Sequence, residues 1–470
     1  MEFKTSHSGA GPSAAAGTQE HEGLVRLEPG ETPWSVKEKL EDDVLAAISR
    51  PGRLYWFGLA AAVVCVIVGL GACWGYQILR GMGASGLRSP VGWGVYITDF
   101  VFWVGIAHSG TLISAVLYLF RARFRSRFNR AAEAMTIFAV MTAGLFPLIH
   151  LGRPWFFYWL LPYPNQRMLW VNFRSPLLWD VFAVSTYFTI SAVFWYLGLV
   201  PDLAICRRKF AGLPKLLYSI FSLGWTGSHR QWKHYNRAYA FLAAFATPLV
   251  VSVHSVVSWD FAMSIVPGWH TTIFAPYFVA GAIFSGTAMV LTLMIPMRSM
   301  FRLERWVTPR HFDLLTRVMI VTGMIVTYSY ITEIALAAYA GEVNKFEWGQ
   351  FLWRMTGDYA PAFWLMMFCN GVVPLTLFVK KLRYNLVYLW ICTIFVNIGM
   401  WLERFNIIIQ SLSKEYNPYS WGNYYPSLIE IGITIGSFGW FFMWFLLFAK
   451  TLPVLAITEI KEEADETAHL

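Results

Sequence analysis

A histidine and an aspartate flank one connection between two long apolar stretches, in Phe146-Pro-Leu-Ile-His150-Leu-Gly-Arg-Pro154 and Ser175-Pro-Leu-Leu-Trp-Asp180. The first stretch runs into the connection and the second runs out of it. Both side chains therefore sit about one helical turn below the same membrane face. An ionisable group at the centre of a lipid-facing helix costs roughly 2.5–3.5 kcal/mol on insertion scales, so such groups line a protein interior or a site. A neutral imidazole accepts a proton near physiological pH, and a carboxyl group held in low dielectric is a usable second acceptor. Oxidising a hydroquinone releases two electrons and two protons, which calls for acceptors beside its two oxygens. The pair marks a candidate quinol pocket. Asp180 could instead orient the imidazole and stabilise its cation, or the two groups could form a structural ion pair between their helices. Residue types alone leave these alternatives open.

The elements that hold the pair are membrane spans. Apolar residues make up 56% of the chain, charged residues only 14%, and there are 23 Trp. That composition belongs to an all-α, multi-pass membrane protein and excludes an ordinary soluble enzyme. Ten stretches reach spanning length, near 55–79, 95–120, 131–152, 176–199, 238–262, 271–297, 312–341, 360–380, 384–411 and 425–450. About 20 helical residues cover a bilayer core. Residues 1–33 are rich in Gly, Ala, Ser and Glu, show no cleavable signal peptide and read as a disordered tail. The expected organisation is a cytoplasmic N-terminal tail (1–50), a peripheral span with its outer loop (51–94), and a first four-helix bundle with the site (95–262). A second four-helix bundle (263–411) and a last peripheral span with a cytoplasmic tail (412–470) follow.

Ser109-Gly110-Thr111 in the second stretch and Ser285-Gly286-Thr287 in the sixth occupy matching places before Arg-containing loops. The echo suggests a parallel repeat of two bundles, although small residues also recur wherever helices pack closely.

The net charge of +9 does not signal nucleic-acid binding, because the basic residues collect in alternate loops: Arg121 to Arg130, Arg207 to Lys233, Arg298 to Arg310, and Lys380 to Arg383. The positive-inside rule then puts both termini in the cytoplasm and the His150/Asp180 end outside. The inner loop 200–236 is expected to meet lipid headgroups or a partner.

Most intramembrane acids are expected towards the outer side, and the inner half is read as almost free of carboxylates. Asp260 has the depth to join His150 and Asp180, or to snorkel to water. Asp99, His108, Glu333, Glu403, Arg404 and Glu430 are proton-path candidates. Asp99 and His108 are nine residues apart and fall on opposite helix faces. Glu403 and Arg404 are neighbours and are expected to seek other partners, Glu333 being the candidate for Arg404. A polar route could run along Ser185, Thr186, Tyr187 and Thr189. Ser175 is expected to cap the fourth span with Pro176 as its first residue, and Pro147 to loosen the helix before His150. His254 reads as a hydrogen-bonded core histidine. His108 and His254 form the only mid-membrane histidine pair, and no helix carries two histidines at the spacing expected of stacked haems, so no b-type haem is expected. The five scattered cysteines indicate no iron–sulfur cluster, disulfide or other metal site in this chain.

At these residues the chain resembles the NrfD and polysulfide-reductase membrane-subunit family, over about residues 40–455. It is most similar to the larger NrfD-like quinol-binding subunit (ActC type) of bacterial alternative complex III. The match rests on Phe146 to Trp155, on Arg174-Ser-Pro-Leu-Leu-Trp-Asp180 through Tyr187, and on Ile265-Val-Pro-Gly-Trp-His-Thr-Thr-Ile-Phe274. The resemblance implies a subunit of the bacterial inner membrane, inactive alone, that oxidises menaquinol near the periplasmic face. His150 and Asp180 would be the catalytic pair, with Asp260 and Arg174 also binding quinol. Electrons would pass to a periplasmic iron–sulfur subunit and on to multihaem or monohaem cytochrome c subunits. A second NrfD-like subunit, small membrane subunits and lipid would complete the assembly. Such a complex would serve respiratory or photosynthetic electron transport and could couple it to proton translocation. Two other readings stay open: a quinone-reactive anchor of a periplasmic molybdoenzyme, and a proton-coupled transporter.

Overall fold

The computed structural model describes residues 30–49, 51–162, 173–341 and 345–468. Most of the tail read over 1–33 and the centre of the outer loop 153–175 lie outside the described residues. All regular structure among the described residues is helical. Among the described residues, nine helices are long and apolar enough to cross a bilayer: α2 (Arg53–Arg80), α3 (Val95–Leu119), α4 (Asn129–His150), α5 (Pro176–Lys209), α7 (His229–Ala262), α8 (Phe274–Met300), α9 (Pro309–Ala340), α12 (Leu386–Ser413) and α13 (Leu428–Thr451). Preceding them is α1 (Pro33–Ser49); α6 (Gly212–Phe221), α10 (Lys345–Thr356) and α14 (Ile457–Ala468) lie between or after them. The eighth expected span is the shorter α11 (Ala360–Thr376). Wide π turns at Phe368–Val372 interrupt it, and Pro374 removes a backbone donor.

Burial separates centre from periphery. Of the most apolar window of α8, 83% is buried, against 11% for α2, whose Trp56, Phe57, Ile67 and Val68 face outward as lipid-facing side chains do. Helices α3, α4, α5 and α7 pack together, and α8, α9, α11 and α12 form the adjoining group, with α3 against α8 at the seam. The two echoed segments meet there. A Cβ on Gly286 would lie 2.2 Å from Ser109 Oγ and 2.7 Å from the Ile106 carbonyl, so the backbones approach as closely as glycine permits. On the flank, α2 crosses α13 at Gly69 and Gly436 in the same way.

Both terminal segments return to one end, which carries the basic loops. Within the segment read as a tail, Pro33–Ser49 is a helix burying Val36, Leu40, Val44 and Ile48, and α1 packs on α14. Lys461 pairs with Glu41, Lys209 with Asp42 at 2.9 Å, Arg127 with Glu463 at 2.7 Å and Arg125 with Glu459 at 3.0 Å. The helices also run past the apolar stretches at this end, so the loop read as 200–236 is largely helix. They carry buried acids, Asp202 beyond its apolar stretch and Glu133 and Asp313 just inside the ends of theirs. Arg130 holds Glu133 at 3.0 Å and Asp202 at 3.2 Å, while Asp313 pairs with Arg317 at 2.7 Å and with Arg383. The basic end is therefore not free of buried carboxylates; each is compensated by an arginine, as burial of charge requires.

Candidate functional site

At the opposite end a cavity of about 360 Å³ opens among α3, α4, α5 and α7. His150, Asp180, Asp260 and Ser185 supply its polar groups, while Trp93, Phe100, Pro147, Leu177, Val184 and Phe261 are among its apolar walls. An apolar pocket of this size with a few convergent polar groups suits a planar ring.

Each polar group is set by local structure. Gly144 separates the body of α4 from its last turns, and Pro147, lacking an N–H, cannot restore the bond to the Ala143 carbonyl. His150 ends that offset segment. The chain then turns at Gly152 (φ +75°), where a Cβ would lie 2.7 Å from Met82 Cγ. Gln77 Nε2 donates to the Ile149 carbonyl at 2.9 Å and ties this corner to α2. Asp180 lies in the second turn of α5. Ser175 occupies the N-cap position before Pro176, but its side chain makes no capping bond, so backbone geometry and proline alone set the start. Asp260 comes from the last turn of α7 and lies beside Asp180, close enough to share a hydrogen bond. Trp93, Phe261 and Trp269 form a ring-on-ring wall behind it, with centroids 4.9 to 6.1 Å apart.

His150 Nδ1, Asp180 Oδ1 and Asp260 Oδ1 are all buried without a hydrogen-bond partner. Leaving a buried polar atom unpaired costs about 1–3 kcal/mol. Three such atoms around one cavity are costly as architecture and useful as a receptor for a polar guest.

The other expected site residues lie elsewhere. Arg174 is exposed in the turn before α5 and is not part of the cavity wall. Asp99 is buried between helices, accepting from Trp401 Nε1 at 2.7 Å and Thr434 Oγ1 at 2.6 Å. Glu430 caps α13, accepting from the backbone N–H groups of Ser427 and Gly86 at 2.8 Å and from Tyr424 Oη at 2.8 Å. These bonds give Asp99 and Glu430 structural work.

Glu403 and Arg404 do pair with each other, contrary to expectation, because the long guanidinium arm folds back towards its neighbour and lies 4.5 Å over the Phe278 ring. Tyr330 also donates to Glu403 and accepts from Asn370 at 2.9 Å. Glu333 is held by Arg354 at 3.7 Å rather than by Arg404. It lines a second cavity of about 610 Å³, with Trp259, His270 and Phe351, on the other side of α7. Nothing in the sequence pattern marked Tyr330, Asn370 or Arg354.

His108 Nδ1 lies 2.8 Å from the Val104 carbonyl, and its ring stacks on Tyr187. Neither ring nitrogen of His254 has a partner, so it is not the hydrogen-bonded core histidine expected. The His108 and His254 centroids are 4.4 Å apart, edge to face, which leaves no room for a haem plane between them. Of the proposed polar route, Tyr187 alone is buried, bonded to Thr111 at 2.8 Å and to the Ala107 carbonyl at 2.8 Å. Ser185, Thr186 and Thr189 are not buried, since residues stepping 100° apart cannot all face inward. Among the described residues, no group of three or more His, Cys, Asp or Glu is placed to hold a metal ion.

The chain is similar to known proteins. Residues 83–414 match the family described as Polysulphide reductase, NrfD. A putative dimethyl sulfoxide reductase membrane subunit from Halobacterium salinarum is 27% identical over 426 residues, covering 84% of this chain and 89% of that protein. An Hdr-like menaquinol oxidoreductase integral membrane subunit from Archaeoglobus fulgidus is 22% identical over 85% of this chain and 95% of its own length. A selenate reductase subunit from Mesobacillus selenatarsenatis is 26% identical over 46% of this chain and 51% of its own.

Proposed function

The chain belongs to the polysulphide reductase NrfD family, and from that premise we propose that it is the quinol-oxidising membrane subunit of an oxidoreductase complex. The observation that carries this reading is the meeting of one imidazole and two carboxyl groups, each with an unpartnered buried atom, around a ring-sized apolar cavity. A hydroquinone seated there gives one hydroxyl proton to His150 and the other to the Asp180–Asp260 pair. The two electrons would leave one at a time to a redox partner subunit docked over the same end, for which an iron–sulfur cluster would supply the one-electron acceptor, and the oxidised quinone departs into the lipid. Aromatic walls hold the ring, and neutral apolar surroundings keep bulk water from the reacting oxygens.

The basic loops support an orientation with both termini in the cytoplasm of a bacterial inner membrane and the cavity towards the periplasm. Protons released from the cavity would then reach the outside. His108, Glu333, Glu403 and Arg404 are the groups through which translocation could be added; Asp99 and Glu430 are already committed to structural bonds.

The partner decides between two versions of the same chemistry. Resemblance to the quinol-binding subunit of alternative complex III favours cytochrome c subunits beyond the iron–sulfur protein. Two of the relatives are named as membrane or other subunits of a dimethyl sulfoxide reductase and a selenate reductase, and these favour a molybdoenzyme partner instead. Purifying the native complex for metal analysis and a spectrum, with quinol-driven reduction of its cofactors, separates the two. Failure of menaquinol to reduce any cofactor of the complex overturns both. Substrate flux through the isolated chain in liposomes would point to a transporter.

A further inference from the structure

Helix α6 (Gly212–Phe221) carries its apolar residues on the outside. Leu213, Leu216, Leu217 and Ile220 follow the i, i+3, i+4, i+7 spacing of one helical stripe and are between 45% and 67% exposed. No residue of this helix is buried. A stripe of this kind normally turns to a protein core; here it faces away from the molecule.

Position and charge say what covers it. The helix lies in the connection between two membrane spans, α5 ending at Lys209 and α7 beginning at His229. Tyr196, which belongs to α5, donates to the Phe221 carbonyl at 2.8 Å, and Tyr218 donates to the Thr451 carbonyl at the end of α13 at 2.8 Å. The helix is thus fastened to α5 and α13 near the ends of their apolar stretches. Trp225, Trp232 and Tyr235 cluster beside it, ring centroids 5.0 to 5.7 Å apart, as aromatics do at a membrane interface. Residues 203–259 contain no acidic residue, and Lys215, Arg230, Lys233 and Arg237 are exposed around the stripe.

We propose that α6 is an interfacial anchor, lying in the headgroup region of the leaflet at the basic end with its leucine stripe in the acyl boundary and its cationic rim on anionic phospholipid. Apolar area supplies the insertion and the rim supplies the lipid preference. The proposal is independent of the quinol reading.

The test uses the full chain in nanodiscs, carrying a bimane label at Leu216→Cys in a Cys65→Ser, Cys73→Ser background, with Thr226→Cys as an exposed control. In phosphatidylcholine mixed with phosphatidylglycerol, the label at 216 is expected to be quenched by chain-borne nitroxide and shielded from iodide, and that at 226 to behave oppositely. Reversing Lys215→Glu and Lys233→Glu is expected to lower phosphatidylglycerol enrichment around the protein by about fivefold for each charge removed. Iodide access to the label at 216 in this mixture overturns the proposal. Shielding that appears only when other subunits are bound overturns it in favour of a protein partner. Equal lipid enrichment before and after charge reversal overturns the anionic preference.

Discussion

Asp180 and Asp260, on helices that enter the cavity from different loops, hold their carboxyl groups side by side while one oxygen of each lacks any partner. Two carboxyl groups in contact within an apolar wall act as one proton-binding unit. With His150 across the cavity, this gives two acceptors for the two protons of a hydroquinone.

Replacing His150→Ala or Asp180→Asn should therefore lower quinol oxidation by about 10²–10⁴-fold, the usual worth of a positioned acid or base. Assembly should be unchanged by size-exclusion chromatography. Normal turnover in both variants would remove the assigned roles.

Because the two aspartates form one unit, their substitutions should not add. The double variant Asp180→Asn/Asp260→Asn is expected to oxidise quinol no more slowly than Asp180→Asn alone, within about threefold. A product of the two single effects would show that they act separately.

Filling the cavity tests the binding place without touching a titrating group. Val184 lies on its wall and is half-buried, so Val184→Trp should occupy the ring's space. The expected result is a KM for quinol raised by about tenfold or more, a loss worth roughly 1.4 kcal/mol of binding. The melting temperature should stay near that of the parent.

At the basic end, Arg130 neutralises Glu133 and Asp202 together. Arg130→Ala leaves two buried acids without their cation and should destabilise the protein by about 3–5 kcal/mol, read as a lowered Tm in detergent. An unchanged Tm would mean these acids are solvated from elsewhere.

The backbone seam makes the same kind of forecast. A valine at Gly286 would drive its Cβ into the Ser109 hydroxyl and the Ile106 carbonyl, 2.2 and 2.7 Å away. Gly286→Val should cost at least about 1–3 kcal/mol through overpacking, and Gly83→Ala, where nothing lies within 4 Å, should cost little.

The membrane fold was legible because apolar run length reports bilayer crossing directly. So was the placing of His150, Asp180 and Asp260 at one end of their helices, where they line one cavity, which follows from helix ends marked by proline, glycine and aromatic residues. What escaped depends on rotation and reach. Glu403 and Arg404 looked divergent because a 100° step separates their backbones, yet an arginine side chain is long enough to fold back. The π turns at Ile67–Cys73, Leu112–Val116, Phe368–Val372 and Asn406–Gln410 shift every later residue round its helix, and no residue type announces them. Asp202 was hidden by the assumption that a helix stops where its apolar run stops, whereas Glu133 lies in the first turn of a stretch already read as a span, among residues apolar enough to mask one acid.

The pairing of α1 with α14 has a mechanical corollary. Glu41 holds Lys461 and Asp42 holds Lys209, so α1 is fastened both to α14 and to the end of span α5. A force drawing α1 and α14 apart would load the Glu41–Lys461 pair and reach span α5 at once through Asp42 and Lys209. The terminal helices therefore pass load to the transmembrane body rather than shield it, since Glu459 and Glu463 also grip Arg125 and Arg127.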